Sequence, residues 1–197
     1  MMPRRPLKKQ QIINAAIEVF GKKTFQSSSI SEIAQQANIA EGTIYQYFKN
    51  KEDLFFSIPL EKTKEFCRDL DLHLEGITGA YSRMRKFIWF YLHFFQMNPA
   101  YSRTLMLEMR VNKRFSRTKA FKAFNLLTDK ILEIIEEGLE ERVFRIDVSI
   151  YLLRQVILGM LEHIVTRWHL KEERYQLTDY SEDVCQLIFH GISIGKT

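Results

Sequence analysis

The sequence contains few of the residues that interrupt helices. Only four prolines and eight glycines occur among 197 residues, which makes long helices the expected structure. No stretch of useful length alternates apolar and polar residues, so β-strands are not expected. We therefore predict an all-α fold with about nine helices and no internal repeat.

The sequence also has little cysteine and no long apolar run. Cys67 and Cys185 lie far apart and outside any paired motif, which excludes a disulfide framework and the usual zinc motifs. No metal or cofactor is predicted. The apolar stretch from Phe87 to Phe95 is interrupted by His93 and is far shorter than the ~20 residues that a membrane span needs. Because the start of the chain does not fit a signal peptide either, we expect a cytoplasmic protein with reduced thiols and no membrane partner.

Motifs of enzyme chemistry are missing as well. Serine, histidine and aspartate occur without a nucleophile-elbow pattern. The glycines of residues 191–197 suggest a phosphate loop, but their spacing is one residue short and no strand precedes them. His163 and His169 are six residues apart, which does not place them on one helix face as metal ligands. We predict that the chain is not an enzyme.

The charge of the chain is moderately basic. A net charge of +5 suggests an acidic partner such as nucleic acid or a membrane surface, although many soluble proteins are equally basic. Arg4, Arg5, Lys8 and Lys9 form a run of positive charge without an acid. This run could follow a phosphate backbone or enter a minor groove, or it could be an ordinary solvated start of the chain.

Local signals near the N-terminus predict two short helices joined by a tight turn. A first amphipathic helix is expected from about Leu7 to Lys23. Ser29 and Glu32 have capping-box spacing, which predicts the start of a second helix. Asn38 stands at the expected turn, because asparagine tolerates the left-handed conformation. A third helix at 41–47 completes a helix-turn-helix at 29–48, in which the last helix would enter a DNA major groove.

Residues 24–55 resemble the DNA-binding region of TetR-family regulators. With the first helix included, the spacing matches across about 45 contiguous residues, which is far more specific than the generic pattern. The matching residues are Ala15, Ala16, Phe20, Ile33, Ala34, Gly42, Thr43, Ile44, Tyr45, Tyr47, Phe48 and Lys51 to Leu54. Asn38 and Ala40 depart from the glycine and the serine or threonine common in the family. Because a lost cap costs ~1 kcal/mol, we expect a loosely held recognition helix in the absence of DNA.

The residue types at this site suit DNA recognition. Gly42 lets the backbone approach base edges, Thr43 suits a phosphate or a thymine methyl, and Gln46 has the amide geometry to read adenine. The resemblance implies DNA contacts at five of the predicted positions: Ser29, Thr43, Tyr45, Tyr47 and Lys51. The full predicted set is Ser29, Ser31, Glu41, Gly42, Thr43, Tyr45, Gln46, Tyr47 and Lys51. Ile44 and Phe48 are expected in the core.

The resemblance implies that the rest of the chain dimerises and encloses a small-molecule site. We therefore predict a helix-turn-helix domain at 1–52 and a helical ligand-binding and dimerisation domain at 53–197, with a homodimer on a palindromic double-stranded DNA operator. Wide apolar bands at 148–170 and 180–194 support the dimer, and the alternative is that both bands are buried within one subunit. The second band places Val184, Leu187, Ile188 and Ile192 on one helix face.

Aromatic and methionine side chains suggest a large apolar pocket, although an aromatic stripe is usually ordinary core. The predicted ligand-binding residues are Phe87, Tyr91, Phe94, Met106, Met109, Arg110, Phe124 and Met160. Residues 103–122 carry seven basic residues against one acid, Glu108. This segment is either a site for an anionic ligand group or a solvated loop face. The basic residues are Arg103, Arg110, Lys113, Arg114, Arg117, Lys119 and Lys122.

A narrower resemblance concerns two short segments, LEMRVN at 107–112 and LRQVILGMLEHIVTRW at 153–168. Both are similar to fatty-acid-degradation regulators within the TetR family, which respond to long-chain acyl-CoA. The resemblance implies a dimeric repressor released from its operator by a fatty acyl-CoA. The alternatives are a repressor that senses a drug-like aromatic compound, a helical DNA-binding module controlled by a protein partner, and an enzyme built on this fold.

Overall fold

A computed structural model describes residues 4–145, 147 and 149–192. Within these residues the chain forms nine α-helices and no β-strand, which confirms the predicted all-α fold. The helices are α1 (Arg4–Lys22), α2 (Ile30–Gln36), α3 (Glu41–Tyr45), α4 (Lys51–Leu74), α5 (Ala80–Met97), α6 (Pro99–Thr104), α7 (Lys119–Glu140), α8 (Ile150–Leu170) and α9 (Ser181–Ile192). A π-helical turn at Leu105–Met109 follows α6, and 3-10 turns occupy Phe115–Arg117 and Leu177–Tyr180.

The caps of the two short helices form as their sequence predicts. The Ser29 hydroxyl accepts a hydrogen bond from the Glu32 amide at 3.1 Å, and the Ser29 amide donates to the Glu32 carboxylate at 2.9 Å. Asn38 has a φ of +50°, which is the left-handed conformation expected at the turn. Ala40 gives α3 no side-chain cap. α3 ends at Tyr45 because the next amides bond three residues back, which tightens the last turn.

The chain divides into two compact units. The first unit comprises residues 1–62 and 98–123, and the second comprises residues 63–97 and 124–197. The predicted boundary at residue 52 separates the DNA-binding function from the ligand-binding function, and it stays a prediction. The compact units differ from it because residues 98–123 pack with the N-terminal helices. We describe each unit by itself.

The core of the first unit is built where α1 packs against α2 and α6. Phe20, Phe25 and Phe55 form an aromatic cluster, with ring centroids 5.0 Å apart for Phe20 and Phe55 and 4.7 Å for Phe25 and Phe55. Gly21 permits the close approach of α6, since a Cβ at this position would lie 2.5 Å from the Ala100 Cβ. These contacts join the N-terminal helices to residues that follow them by almost 80 positions.

The second unit has a larger aromatic core around the side chain of Phe66. The centroids of Phe90, Phe94 and Tyr91 on α5 lie 5.0, 5.1 and 5.9 Å from the centroid of Phe66. α5 also packs against α8 and α9. Despite the aromatic content of α5, no helix among the described residues is long and apolar enough to cross a bilayer.

Both cysteines carry protonated thiols at neutral pH. Burial raises the pKa of Cys67 to about 11, and burial likewise raises the pKa of Cys185 to about 11. Because the thiolate is the reactive form, the raised pKa makes both thiols weaker nucleophiles than an exposed cysteine at neutral pH.

Candidate nucleic-acid interface

α3 separates its core residues from its outward residues along one turn. Ile44 and the following Phe48 are buried, which confirms their prediction as core. Tyr45 and Gln46 are exposed, and Tyr45 has about half of its surface in solvent. The helix is therefore anchored on one side and presents polar groups on the other, as a major-groove reader requires.

Gly42 leaves the outer backbone of α3 uncovered. No atom lies within 4 Å of the position that a Cβ would occupy, so the glycine is not needed for packing within the chain. Glu41 is exposed beside it, while Thr43 and Tyr47 are half-buried. The structure thus brings these four predicted residues onto a single short segment next to Gln46.

Ser29 is the N-cap of α2 and Ser31 lies in its first turn. Ser29 takes part in the capping box, and Ser31 does not. The hydroxyl oxygen of Ser29 lies 3.1 Å from a carboxylate oxygen of Glu32. Glu32 is also paired with Lys23, and the bonds from Lys23 and Ser29 lower the pKa of the Glu32 carboxyl below its ordinary value. A phosphate that approached Ser29 would compete with this carboxylate for the hydroxyl proton. Ser31 is exposed.

Lys51 has a structural role that the sequence did not reveal. Its ammonium group donates to the carbonyl oxygens of Phe25 and Ser28, each at 2.7 Å, and lies 4.4 Å from the centroid of the Phe25 ring. An ammonium has three donors, so these two bonds leave one donor over. Sequence reasoning missed the bonds because their acceptors are backbone atoms, which every residue type carries.

The basic N-terminal run begins within α1. Lys8 is exposed, and the ammonium of Lys9 pairs with the Glu61 carboxylate at 3.0 Å. The side chains of Arg4 and Arg5 lie outside the described residues. Lys9 is therefore engaged within the first unit, and Lys8 is the described cation of this run that faces solvent.

The predicted ligand residues fall into two groups, one in each unit. In the second unit, Phe87, Tyr91 and Phe94 are buried, and Phe124 and Met160 are half-buried. Phe66, which the predicted ligand set omitted, contacts all three aromatic rings. Its sequence signal was an apolar position on the long α4, which helical periodicity alone does not distinguish from ordinary core.

The other group occupies the π-helical turn of the first unit. Met106 and Met109 are buried and Arg110 is exposed. The Arg110 amide donates to the Leu105 carbonyl at 3.1 Å, five residues back. An inserted residue in the hydrogen-bond ladder leaves no composition signal, so the sequence alone does not reveal this turn.

Arg114 in the basic segment at 103–122 is paired with an acid outside the segment. Arg114 donates to Glu52 at 2.9 Å, and this bond raises the pKa of the guanidinium above its ordinary value. The sequence tally counted only the acid inside the segment and so missed Glu52. The neighbouring cations Lys113 and Arg117 are exposed.

α8 and α9 expose apolar side chains. Tyr151, Leu152 and Val156 on α8 each have more than half of their surface in solvent. On α9, Leu187 is 67% exposed while Ile188 is only 5% exposed. The prediction that Leu187 shares one apolar face with Val184 and Ile188 is therefore wrong. Val184 and Ile188 are buried within their own chain, whereas Leu187 is exposed. The side chain of Ile192 lies outside the described residues.

Comparisons with known proteins match both parts of the chain. A family model described as "Bacterial regulatory proteins, tetR family" matches residues 12–58. A second model, described as "YsiA-like protein, C-terminal region", matches residues 60–191. Together these models cover the helix-turn-helix and nearly all of the remaining helices.

Individual relatives match over almost the full length. The fatty acid metabolism regulator protein of Bacillus subtilis is 30% identical over 98% of both chains. The structure of FadR from Bacillus subtilis in complex with stearoyl-CoA has a TM-score of 0.87 at 30% identity, covering 93% of this chain and 98% of that one. The fatty acid degradation regulator FadR from Bacillus halodurans gives a TM-score of 0.88 at 29% identity, with 93% and 95% covered. The chain therefore belongs to the TetR family of bacterial DNA-binding transcriptional regulators, with a C-terminal region of the YsiA-like group.

Proposed function

We propose that this regulator is a dimeric repressor whose affinity for a palindromic operator is lowered by a long-chain fatty acyl-CoA. The observation that carries the proposal is the full-length similarity to a regulator whose structure was determined with stearoyl-CoA. The similarity includes the C-terminal helices as well as the helix-turn-helix, since the YsiA-like model spans residues 60–191. The relatives are regulators, which supports a function without catalysis.

The outward face of α3 is our proposed base-reading surface. Gly42 and Gln46 are exposed there, and the bare backbone at Gly42 allows close approach to the floor of the groove. We propose that Thr43, Tyr45 and Tyr47 bond phosphates beside it. Ser29, Ser31, Glu41 and Lys51 complete the proposed set at the edges of the reader.

Replacing Gln46 by alanine should change base preference at one symmetric pair of operator positions. A glutamine amide can donate to and accept from adenine at once, and alanine removes both bonds while leaving the exposed helix surface intact. We expect a ~10-fold loss of discrimination at that position and little change in the salt dependence of binding. Selection of binding sites from a random DNA pool, performed with both proteins, measures this. An unchanged preference at every position removes Gln46 from base recognition.

The second unit supplies the proposed site for the acyl chain. Phe87, Tyr91, Phe94 and Phe66 form a dense aromatic cluster, and Phe124 and Met160 are half-buried. An acyl chain gains ~0.8 kcal/mol for each methylene that leaves water. A dozen buried methylenes therefore provide more driving force than binding needs, even after ordering costs.

In the first unit, the π-helical turn and the basic segment supply the remaining candidates. Met106 and Met109 offer flexible apolar side chains, and Arg110, Lys113 and Arg117 offer exposed cations for the phosphates of a CoA head group. Arg114 is less available because it is bound to Glu52. Lys113 and Arg117 are therefore favoured over Arg114 for the head-group contacts.

Acyl-CoAs of increasing length should release the operator with increasing potency. Only the difference in effector affinity between the two conformations drives release, and a ~100-fold loss of DNA affinity requires ~2.7 kcal/mol of that difference. The measurement is a titration of the protein–operator complex with acyl-CoAs of graded length, with free fatty acids and with CoA alone.

The controls in this titration separate the chain from the head group. Release that grows with chain length and requires the CoA portion supports the proposal. Release by a neutral or cationic aromatic compound, with no response to any acyl-CoA, contradicts it and assigns the pocket to a drug-type sensor. Release by a protein partner alone would instead favour control by protein association.

A further inference from the structure

The turn between α1 and α2 is held at one residue by side chains from two other elements. The Phe25 amide donates to Glu108 Oε2 at 2.7 Å, and the Phe25 carbonyl accepts from Lys51 at 2.7 Å. Both backbone polar groups of Phe25 are thus bonded by charged side chains, which form the stronger class of hydrogen bond. The ring of Phe25 adds contacts with Phe20 and Phe55.

The position of Phe25 determines where the helix-turn-helix, formed by α2 and α3, begins. Lys51 also binds the carbonyl of Ser28, the residue immediately before the N-cap of α2. α2 in turn packs against α3. A displacement of the turn at Phe25 therefore moves the N-cap Ser29 and changes the position from which α3 is presented to DNA.

Glu108 reaches Phe25 from the π-helical turn, Leu105–Met109. Three other side chains of the turn, Leu105, Met106 and Met109, are buried, while Glu108 remains half-exposed. A π-turn holds one residue more than an α-turn, and returning it to α-helical register would rotate the adjoining residues by ~100°. A rotation of this size takes the Glu108 carboxylate away from the Phe25 amide.

We propose that Glu108 is a positioning residue for DNA binding, which holds the α1–α2 turn only while residues 105–109 keep their π register. The carboxylate sets the turn, the turn sets α2, and α2 supports α3. An effector that displaces Met106 or Met109 moves Glu108 with them, because all three belong to one turn. This last step rests on the proposed function, and the positioning role in the ligand-free protein does not.

Replacing Glu108 by alanine gives an effect whose sign is diagnostic. Removal of a negative charge by itself strengthens binding to the DNA polyanion. Glu108→Ala should nevertheless weaken operator binding about tenfold, because it removes the acceptor of a charge-assisted hydrogen bond. Glu108→Gln retains a carbonyl oxygen and should stay within about threefold of the unchanged protein.

Glu18→Ala is the matched control. Glu18 is exposed on α1 in the same unit, so its substitution makes the same charge change and should leave operator affinity equal or slightly higher. All four proteins are titrated with an operator selected from the random pool. Unchanged affinity in Glu108→Ala overturns the proposal, as does a loss in Glu108→Gln as large as that in Glu108→Ala.

Hydrogen exchange gives a second test that does not depend on the folding of a variant. In the unchanged protein the Phe25 amide should exchange slowly, and stearoyl-CoA should accelerate its exchange. Exchange of this amide at the rate of exposed neighbours in the ligand-free protein overturns the positioning role.

The two proposals fail in different ways. If stearoyl-CoA releases the operator while the Phe25 amide stays protected, the effector assignment stands and the coupling through Glu108 is wrong. If stearoyl-CoA changes neither operator affinity nor exchange, while Glu108→Ala still weakens binding, the positioning role stands and the effector assignment is wrong.

Discussion

Leu187→Glu should produce a folded monomer that no longer holds a full operator. Leu187 is 67% exposed on α9, so the substitution places no charge in the core of the chain. In a two-fold dimer each substitution occurs twice. Losing two buried leucines at ~2 kcal/mol each raises the dimer dissociation constant by about 1000-fold. Analytical ultracentrifugation measures the assembly, and a half-site probe shows whether the monomer still reads DNA.

The matched control is the same substitution on another exposed leucine. Leu72 on α4 is 61% exposed, and Leu72→Glu should leave the dimer and its operator affinity unchanged. An intact dimer in Leu187→Glu would place the interface elsewhere. A glutamate at Ile188 is a poorer test, because Ile188 is buried in its own chain and its loss would confuse unfolding with dissociation.

Gly138→Ala should destabilise the fold by about 3 kcal/mol, within the range for overpacking and for loss of a buried phenylalanine. A Cβ at residue 138 would lie 2.0 Å from Cδ2 of Phe144, and the Phe144 ring is fully buried. The ring cannot retreat easily, since the Phe144 amide is bonded to the Gly138 carbonyl at 3.0 Å. Urea denaturation, compared at equal slope, gives the loss in free energy of unfolding.

Gly42→Ala serves as the opposite case. Nothing lies within 4 Å of the added methyl group, and alanine is the better helix former, so stability should be equal or slightly higher. DNA affinity should fall, because the methyl group would stand between the backbone of α3 and the base edges. Equal losses of stability in both variants would contradict the packing argument at Gly138.

Sequence signals predicted the helix-turn-helix well, because its caps and its turn depend on residues that are close in sequence. The capping box of Ser29 and Glu32 needs residues only three apart, and both of its bonds are present. The left-handed turn at Asn38 follows from the tolerance of asparagine for positive φ. The missing cap at Ala40 follows from alanine having no acceptor atom.

Contacts between residues far apart in sequence could not be predicted, for physical reasons. The bonds from Lys51 and Glu108 end on backbone atoms of Phe25, which no pattern of side chains marks. Helical periodicity grouped Leu187 with Ile188, although burial separates them. Arg142 adopts a φ of +58°, a conformation that glycine usually provides after a helix. The sequence therefore has no glycine to mark the end of α7.

The discontinuity of the first unit bears on how such regulators recombine. Residues 98–123 fold with residues 1–62, and the Phe56 ring meets Phe115 with centroids 6.1 Å apart. A hybrid that takes only its first 52 residues from another regulator would pair foreign partners at the Phe25–Glu108 and Glu52–Arg114 contacts. Functional hybrids should therefore inherit both segments from one parent, and natural exchanges of operator specificity should leave matched ancestry in two separated stretches of the gene.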